Sequence, residues 1–565
     1  MKKGKSHLKF VSDTALIQGP QTSAFRRFGI FLALLAWSNG ALGQQHPMQP
    51  GIDVLHYDFS LTLPDAGASI EGIALITVCR SQPADHLVLD LIDLRVDSVF
   101  VNQRTVKFSR TPVTLDIPLP EATGTAPDTL LVAVRYAGEV KDGLIIHADK
   151  KGRWFAFGDN WPARAHCWLP TVDRPDDKAT VAWTINAPSD RKVIANGALI
   201  EENQVGAPSA HRTITHWSTE RPIPPYLMVI AVGPLIGYDL GLTAHGMSEF
   251  PPGVNQSVYA VPELADYLPG PFKYAGDIVE FFAHLVGPFP YEKLAHLQSY
   301  TRFGGMENAS AIFYANDLFE RRSNGTGIIA HETAHQWFGD AVTPRTWGHL
   351  WLSEGFASYF EQLWVERSEG SGALRQGMSN LRREILASST TQKRPVIDTL
   401  QTDPMRLLNT NSYQKGAWTL HMLRSLIGNS AFFAGIQSYY DHHKHSTATS
   451  DDLCAEFEHA SNTSLRWYFD QWLRRPGFPD LSLGWTYDDV HRSVKVDIKQ
   501  GSRFSPYRFP MKIETRTSDG HLHTVTIEVP ALESVSIQLP STFNSRPTRL
   551  VFDPDVELLA NIISK

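Results

Sequence analysis

His331-Glu332-Thr333-Ala334-His335 sets two imidazoles four residues apart, with a glutamate directly after the first. On a helix, positions i and i+4 share a face, so both rings reach one ion with Glu332 beside it. Catalytic zinc takes three protein ligands and keeps a fourth position for water. A third donor is therefore required, and a carboxylate is the usual partner of two histidines. Glu354 is the best candidate: 18 residues separate it from His335, and it opens the next helical stretch, SEGFASYFEQLWVE. A helix, a reversing loop and a second antiparallel helix would bring it back over the first. Two His and one Glu leave a bound Zn²⁺ with a residual charge of about +1, which draws the pKa of water down towards ~7. Glu332 is then the base that takes the proton. This is equipment for hydrolysing a peptide or an ester, with one zinc per chain. Glu361 lies seven residues after Glu354, about two turns on, and shares its face. It either orients a ligand imidazole or is a solvated helix glutamate.

The pentapeptide alone does not separate an endopeptidase from an exopeptidase, but the segment before it does. LAHLQSYTRFGGMENASAIFY, residues 294–314, reads as a strand, a Gly-Gly break, then Met306-Glu307-Asn308. Gly304 and Gly305 let another backbone approach closely, and the Glu307 carboxylate just beyond can face a free ammonium. A strand beside the metal also pairs with an extended peptide. Met306 either lines the pocket for the first side chain or packs in the core.

These residues need a scaffold. The chain has 565 residues, enough for several domains. From Ile52 to Val232 short alternating stretches (HYDFSLTL, HLVLDLI, ATVAWTINA) are broken by Gly, Pro, Asp and Asn clusters, which predicts an antiparallel β domain over 44–247. After Pro251-Pro252-Gly253 the apolar spacing turns helical and predicts a mainly helical catalytic domain over 248–475. Gly339 sits where a helix C-cap is expected, and Ser353 where an N-cap is expected before Glu354. Beyond Pro476-Gly477-Phe478-Pro479 alternation returns, predicting a small β-sandwich over 476–565. The fold class is therefore α+β and multidomain.

Hydrophobic residues make up 42% and charged residues 20%, as in a soluble globular protein. With 52 basic against 59 acidic residues the net charge is −7, which excludes a phosphate-neutralising surface and argues against nucleic acid as a partner. Three cysteines allow at most one disulfide. Phe28–Trp37 is an apolar run of ten residues, too short to span a bilayer, preceded by Arg26-Arg27 and followed by Ala41-Leu42-Gly43. Residues 1–43 thus read as an export signal cleaved near Gly43, and the mature chain as periplasmic or secreted. No later run reaches about 18 apolar residues, so no stable membrane span is expected after cleavage.

Taken in order, the motifs closely resemble the zinc aminopeptidases of the aminopeptidase N and leukotriene hydrolase type. The resemblance rests on GGMEN at 304–308, HETAHQWFGD at 331–340, WGHLWLSEGFASYFE at 347–361 and YQKG at 413–416. Weaker similarity at 161–175 and 474–481 extends it over nearly the whole mature chain. It implies a thermolysin-like zinc domain, with His331, His335 and Glu354 as zinc ligands and Glu332 as general base. It implies that Glu307, within a substrate-binding segment of Gly304, Gly305, Met306 and Asn308, anchors the substrate's α-amino group. Tyr413 matches the tyrosine whose hydroxyl stabilises the oxyanion. Asp159 falls where relatives carry a Gln or Glu that also touches the amine, and neighbouring Asn160 is an alternative. The implied partners are peptides with a free N-terminus. Gly305 stands in place of a more usual Ala and Asp340 in place of Asn. Many relatives add a helical C-terminal domain over the cavity, so a more open cleft, or one closed by an oligomer partner, is expected here.

Overall fold

The computed structural model describes residues 48–122, 127–206, 211–322 and 325–564, so the expected export signal lies outside the described residues. Strand Ser69–Arg80 shows how the β domain forms: exposure alternates along it, turning Ile70, Ala74, Ile76 and Val78 inward. It pairs antiparallel with Ile52–Thr62 on one side and Asp128–Glu139 on the other, in the middle of an eight-stranded sheet. One pair in that sheet, Ile52–Thr62 with Thr180–Pro188, is parallel, where alternation alone predicted antiparallel neighbours throughout. A parallel pair needs a long crossover, and the strands between residues 62 and 180 supply it. A second sheet of four strands ends its strand Trp154–Gly158 immediately before Asp159.

The central sheet has five strands, in the order Ile236–Thr243, Val254–Ala260, Lys293–Ser299, Ala311–Ala315, Gly305–Met306. Its first strand precedes residue 248 and pairs antiparallel with Val254–Ala260 across Pro251-Pro252-Gly253. That tripeptide turns the chain within one sheet and does not link two domains. At the other edge, Gly305–Met306 pairs among the described residues with Ala311–Ala315 alone.

Helix Trp351–Glu369 packs on both Thr326–His335 and Gly416–Ile427. Its residues from Trp351 to Phe360 are all buried, as expected of a helix surrounded by protein. Polar side chains inside it, Ser353 and Glu354 among them, therefore need buried partners. The chain ends in a sandwich of a four-stranded and a three-stranded sheet. Among the described residues no helix is long and apolar enough to cross a membrane, and all three cysteines are free thiols.

Candidate metal centre and peptide cleft

Helix Thr326–His335 places His331 and His335 one turn apart, and helix Trp351–Glu369 brings Glu354 against them. Glu354 Oε2 lies 3.5 Å from Nε2 of both histidines. Two donors each about 2.1 Å from a tetrahedral ion are ~3.4 Å apart, so the set fits zinc at three corners. The far sides of the rings are held too. His335 Nδ1 is 3.1 Å from the Phe338 carbonyl, which only accepts, so the neutral ring carries its proton there and keeps the Nε2 lone pair free. Ser353 Oγ bonds the same Nδ1 at 2.9 Å. His331 Nδ1 faces Glu361 Oε2 at 3.7 Å, which supports the orienting reading of Glu361.

Two cap expectations change. The motif helix ends at His335, and Gly339 lies beyond it in a turn with φ of +125°. A Cβ at 339 would stand 2.4 Å from Ser353 Oγ and 3.2 Å from His335 Nδ1, so glycine there makes room for the histidine's support. Ser353 is the third residue of its helix rather than the cap, because the helix begins at Trp351.

The electrostatics favour a cation. Burial opposes charge on His331, but Glu354, Glu361 and Glu332 outweigh it and hold its pKa well above the usual value. Burial would raise Glu354, yet His331 and His335 pull it down to about 2. Glu332 goes the other way. Burial first, then Glu307 and Glu354, push it up to about 7 against the two histidines. A group near 7 can both take and return a proton at neutral pH.

Glu307, Glu332 and His335 form a second cluster whose candidate ligand atoms all lie within 4.8 Å of one another. Glu307 is buried, and burial raises its carboxyl pKa. Gly305 lies over Glu332: a Cβ there would come within 2.1 Å of Glu332 Oε1, so the close approach this glycine permits is to the motif glutamate. The Gly304 carbonyl accepts from the Ala315 N–H, which fixes the bend into the edge strand. Met306, 2% exposed, packs in the core, and Asn308 is fully buried.

Tyr413 sits in a π-helical turn, Asn411–Lys415, that leads into helix Gly416–Ile427. Its ring stacks on His331 at 6.1 Å and its hydroxyl faces Glu354. Burial, then Glu354 and Glu307, hold its pKa well above the usual value, so the hydroxyl keeps its proton. The approach depends on two glycines. A Cβ on Gly355 would stand 2.9 Å from the Gly416 Cα, and the reverse distance is the same. Gly355→Ala is expected to force the turn away from Glu354, destabilising the fold by about 1–3 kcal/mol. Thermal unfolding and kcat measured on the same preparation should fall together, and an unchanged Tm would show that the helices do not meet there.

Asp159 lies between two arginines. Its carboxylate faces Arg164 Nη2 at 2.8 Å and Arg302 Nε at 3.2 Å, and Asp142 shares both arginines at 2.7 and 3.0 Å. Asn160 donates to the Pro225 and Met228 carbonyls and accepts from Trp168 Nε1, which uses its whole amide. In the structure Asp159 is thus paired with two arginines, and Asn160 is hydrogen-bonded to two main-chain carbonyls and an indole. Sequence reading missed Gln336, which donates to the Glu307 carbonyl at 2.8 Å. Its only local signal was its place directly after His335.

Residues 54–227 match the Peptidase M1 N-terminal domain and residues 273–472 the Peptidase family M1 domain. Aminopeptidase M1-B of Oryza sativa subsp. japonica is 28% identical over 487 residues, covering 79% of this chain and 52% of that protein. Tricorn protease-interacting factor F2 of Thermoplasma acidophilum is 26% identical over 505 residues, 84% of this chain and 59% of that protein. Human glutamyl aminopeptidase is 27% identical over 483 residues, 79% of this chain and 49% of that protein. The chain thus spans about half the length of the curated relatives it matches. A crystal structure of an M1 zinc metallopeptidase from Deinococcus radiodurans superposes with a TM-score of 0.66 at 25% identity, over 75% of this chain and 95% of that one.

Proposed function

Because this chain belongs to the peptidase M1 family, we propose that it is a zinc-dependent aminopeptidase that removes the first residue of peptides. His331, His335 and Glu354 would hold one zinc ion. Zinc bound there supplies a Lewis acid that polarises the scissile carbonyl and acidifies water. An extended peptide adds along the edge strand Gly305–Met306, and its ammonium meets the Glu307 carboxylate. Glu332 takes the proton from the attacking water and passes it to the departing amine nitrogen as the C–N bond breaks. Tyr413 donates its O–H to the oxygen that gains charge in the tetrahedral intermediate.

One observation carries the reading: Glu307 stands within 4.8 Å of the Glu332 and His335 ligand atoms. In a peptide the terminal nitrogen is ~2.5 Å from the first carbonyl carbon. Add a hydrogen bond of ~2.8 Å from ammonium to carboxylate, and anchor and reacting carbon are about 5 Å apart. That spacing leaves room for one residue between anchor and cut. The relatives named as aminopeptidases support the same reading.

A panel of aminoacyl anilides, free and N-acetylated, with and without chelator, tests it. Free substrates should turn over far faster than blocked ones, chelator should stop them, and zinc should restore them. Comparable cleavage of blocked peptides would make the protein an endopeptidase. Tyr413→Phe should lower kcat on free substrates by on the order of 10²-fold with KM nearly unchanged, since the lost donor acts only on developing charge. A rise in KM at constant kcat would instead place Tyr413 in ground-state binding. Export to the periplasm or medium is part of the proposal and rests on the Phe28–Trp37 run.

A further inference from the structure

Gln336 follows the second motif histidine, and none of the chemistry above uses it. Its side chain is fully buried with every hydrogen-bonding function occupied. Nε2 donates to the main-chain oxygen of Glu307 at 2.8 Å and to Asp340 Oδ2 at 2.9 Å, while Oε1 accepts from the Ser310 N–H at 2.8 Å. These partners dictate which way the amide lies, since a main-chain carbonyl only accepts and a main-chain N–H only donates. One side chain therefore ties both ends of segment 307–310 to the helix that carries His331, Glu332 and His335.

The segment needs such ties. Ser310 has φ of +62°, in the left-handed region disfavoured for any residue with a Cβ, and such a conformation persists only where its surroundings over-determine it. The opposite side of the segment is held by the β domain. Asn196 Nδ2 donates to the Ala309 carbonyl at 2.8 Å and the Gly197 N–H to Ser310 Oγ at 2.8 Å. Asp340 is braced in turn, its main-chain oxygen accepting from Lys178 Nζ at 2.9 Å.

We propose that Gln336, braced by Asp340, is a positioning residue that sets where Glu307 meets the substrate ammonium relative to Glu332. It thereby fixes the cut one residue from the N-terminus. This rests on reading Glu307 as the amine anchor. The tolerance is small, because a misplacement of about 1 Å between anchored and reacting atoms costs on the order of 10²-fold.

The test compares zinc-loaded wild type, Gln336→Glu/Asp340→Asn and Glu307→Gln. Gln336→Glu alone would set a carboxylate oxygen against two acceptors. Adding Asp340→Asn gives that oxygen an N–H to accept, while the Glu307 carbonyl still lacks its donor. Calorimetry with leucine hydroxamate and isocaproyl hydroxamate, which differ only in the α-amino group, yields an affinity ratio that reports the amine alone. The double variant should cut that ratio about tenfold, with zinc content and isocaproyl hydroxamate affinity unchanged. Gln336→Met, which keeps the volume and adds no charge, is read the same way if the double variant fails to fold. A wild-type ratio in a folded, zinc-loaded variant overturns the proposal, as does equal weakening of both compounds. The Glu307→Gln arm separates the two levels. If it leaves the ratio untouched, the anchor reading itself falls; if it collapses the ratio while the Gln336 variants do not, only the positioning role falls.

Discussion

Glu332→Gln is expected to lower kcat by about 10³-fold while zinc stays bound in full stoichiometry. The substitution keeps size and shape and removes only the ability to accept a proton. General-base assistance contributes on the order of 10²–10⁴-fold. Glu354 is one of the three donors that would hold the metal, so it is not free to act as a base, and Glu307 faces the ammonium in the proposed complex. The metal should remain because Glu332 is not one of the three donors grouped around Glu354 Oε2. Stability should hold or rise, since a buried carboxylate lying between Glu307 and Glu354 becomes a neutral amide. Metal analysis by atomic emission, single-turnover kinetics and thermal unfolding together decide the matter. Near wild-type turnover would refute the base assignment, and loss of zinc would recast Glu332 as a ligand.

Glu307→Gln should divide substrates by their amino terminus. A buried charge pair whose partner is truncated loses about 3–5 kcal/mol, so kcat/KM on free aminoacyl anilides should fall on the order of 10²–10⁴-fold. Residual cleavage of N-acetylated substrates should change by less than about threefold, because they bring no charge to the anchor. Gln336 bonds the main-chain oxygen of residue 307, so the segment keeps its place when the side chain changes. Equal losses on free and blocked substrates would mean that Glu307 supports the site generally and does not read the terminus.

The architecture follows the order expected from alternation and helical spacing, and the places where it departs share a cause. Alternation reports which face of a strand is buried but not the direction of its neighbour, so the parallel pairing of Ile52–Thr62 with Thr180–Pro188 was invisible. The turn at Pro251-Pro252-Gly253 has the composition of a linker, and only pairing across it shows that it lies inside a sheet. The expectation for Asp159 and Asn160 rests on their position in the family resemblance alone. Their side chains meet near neighbours, Arg164 and Trp168, together with Arg302 and the Pro225 and Met228 carbonyls, which lie 65 to 143 residues away along the chain.

The sequence by itself determined the metal-binding chemistry. His331, Glu332 and His335 are related by the pitch of one helix, a local geometry that residue spacing encodes directly. Glu354 was reachable because one reversal of the chain brings its helix back. What only the tertiary structure decided is the support. Ser353 on His335, Glu361 on His331, Gln336 on Glu307 and the Gly355–Gly416 crossing that delivers Tyr413 are contacts between separate elements. Such contacts arise when packing leaves a buried polar group in need of a partner, or two backbones too close for a Cβ. Neither condition exists until the chain has folded.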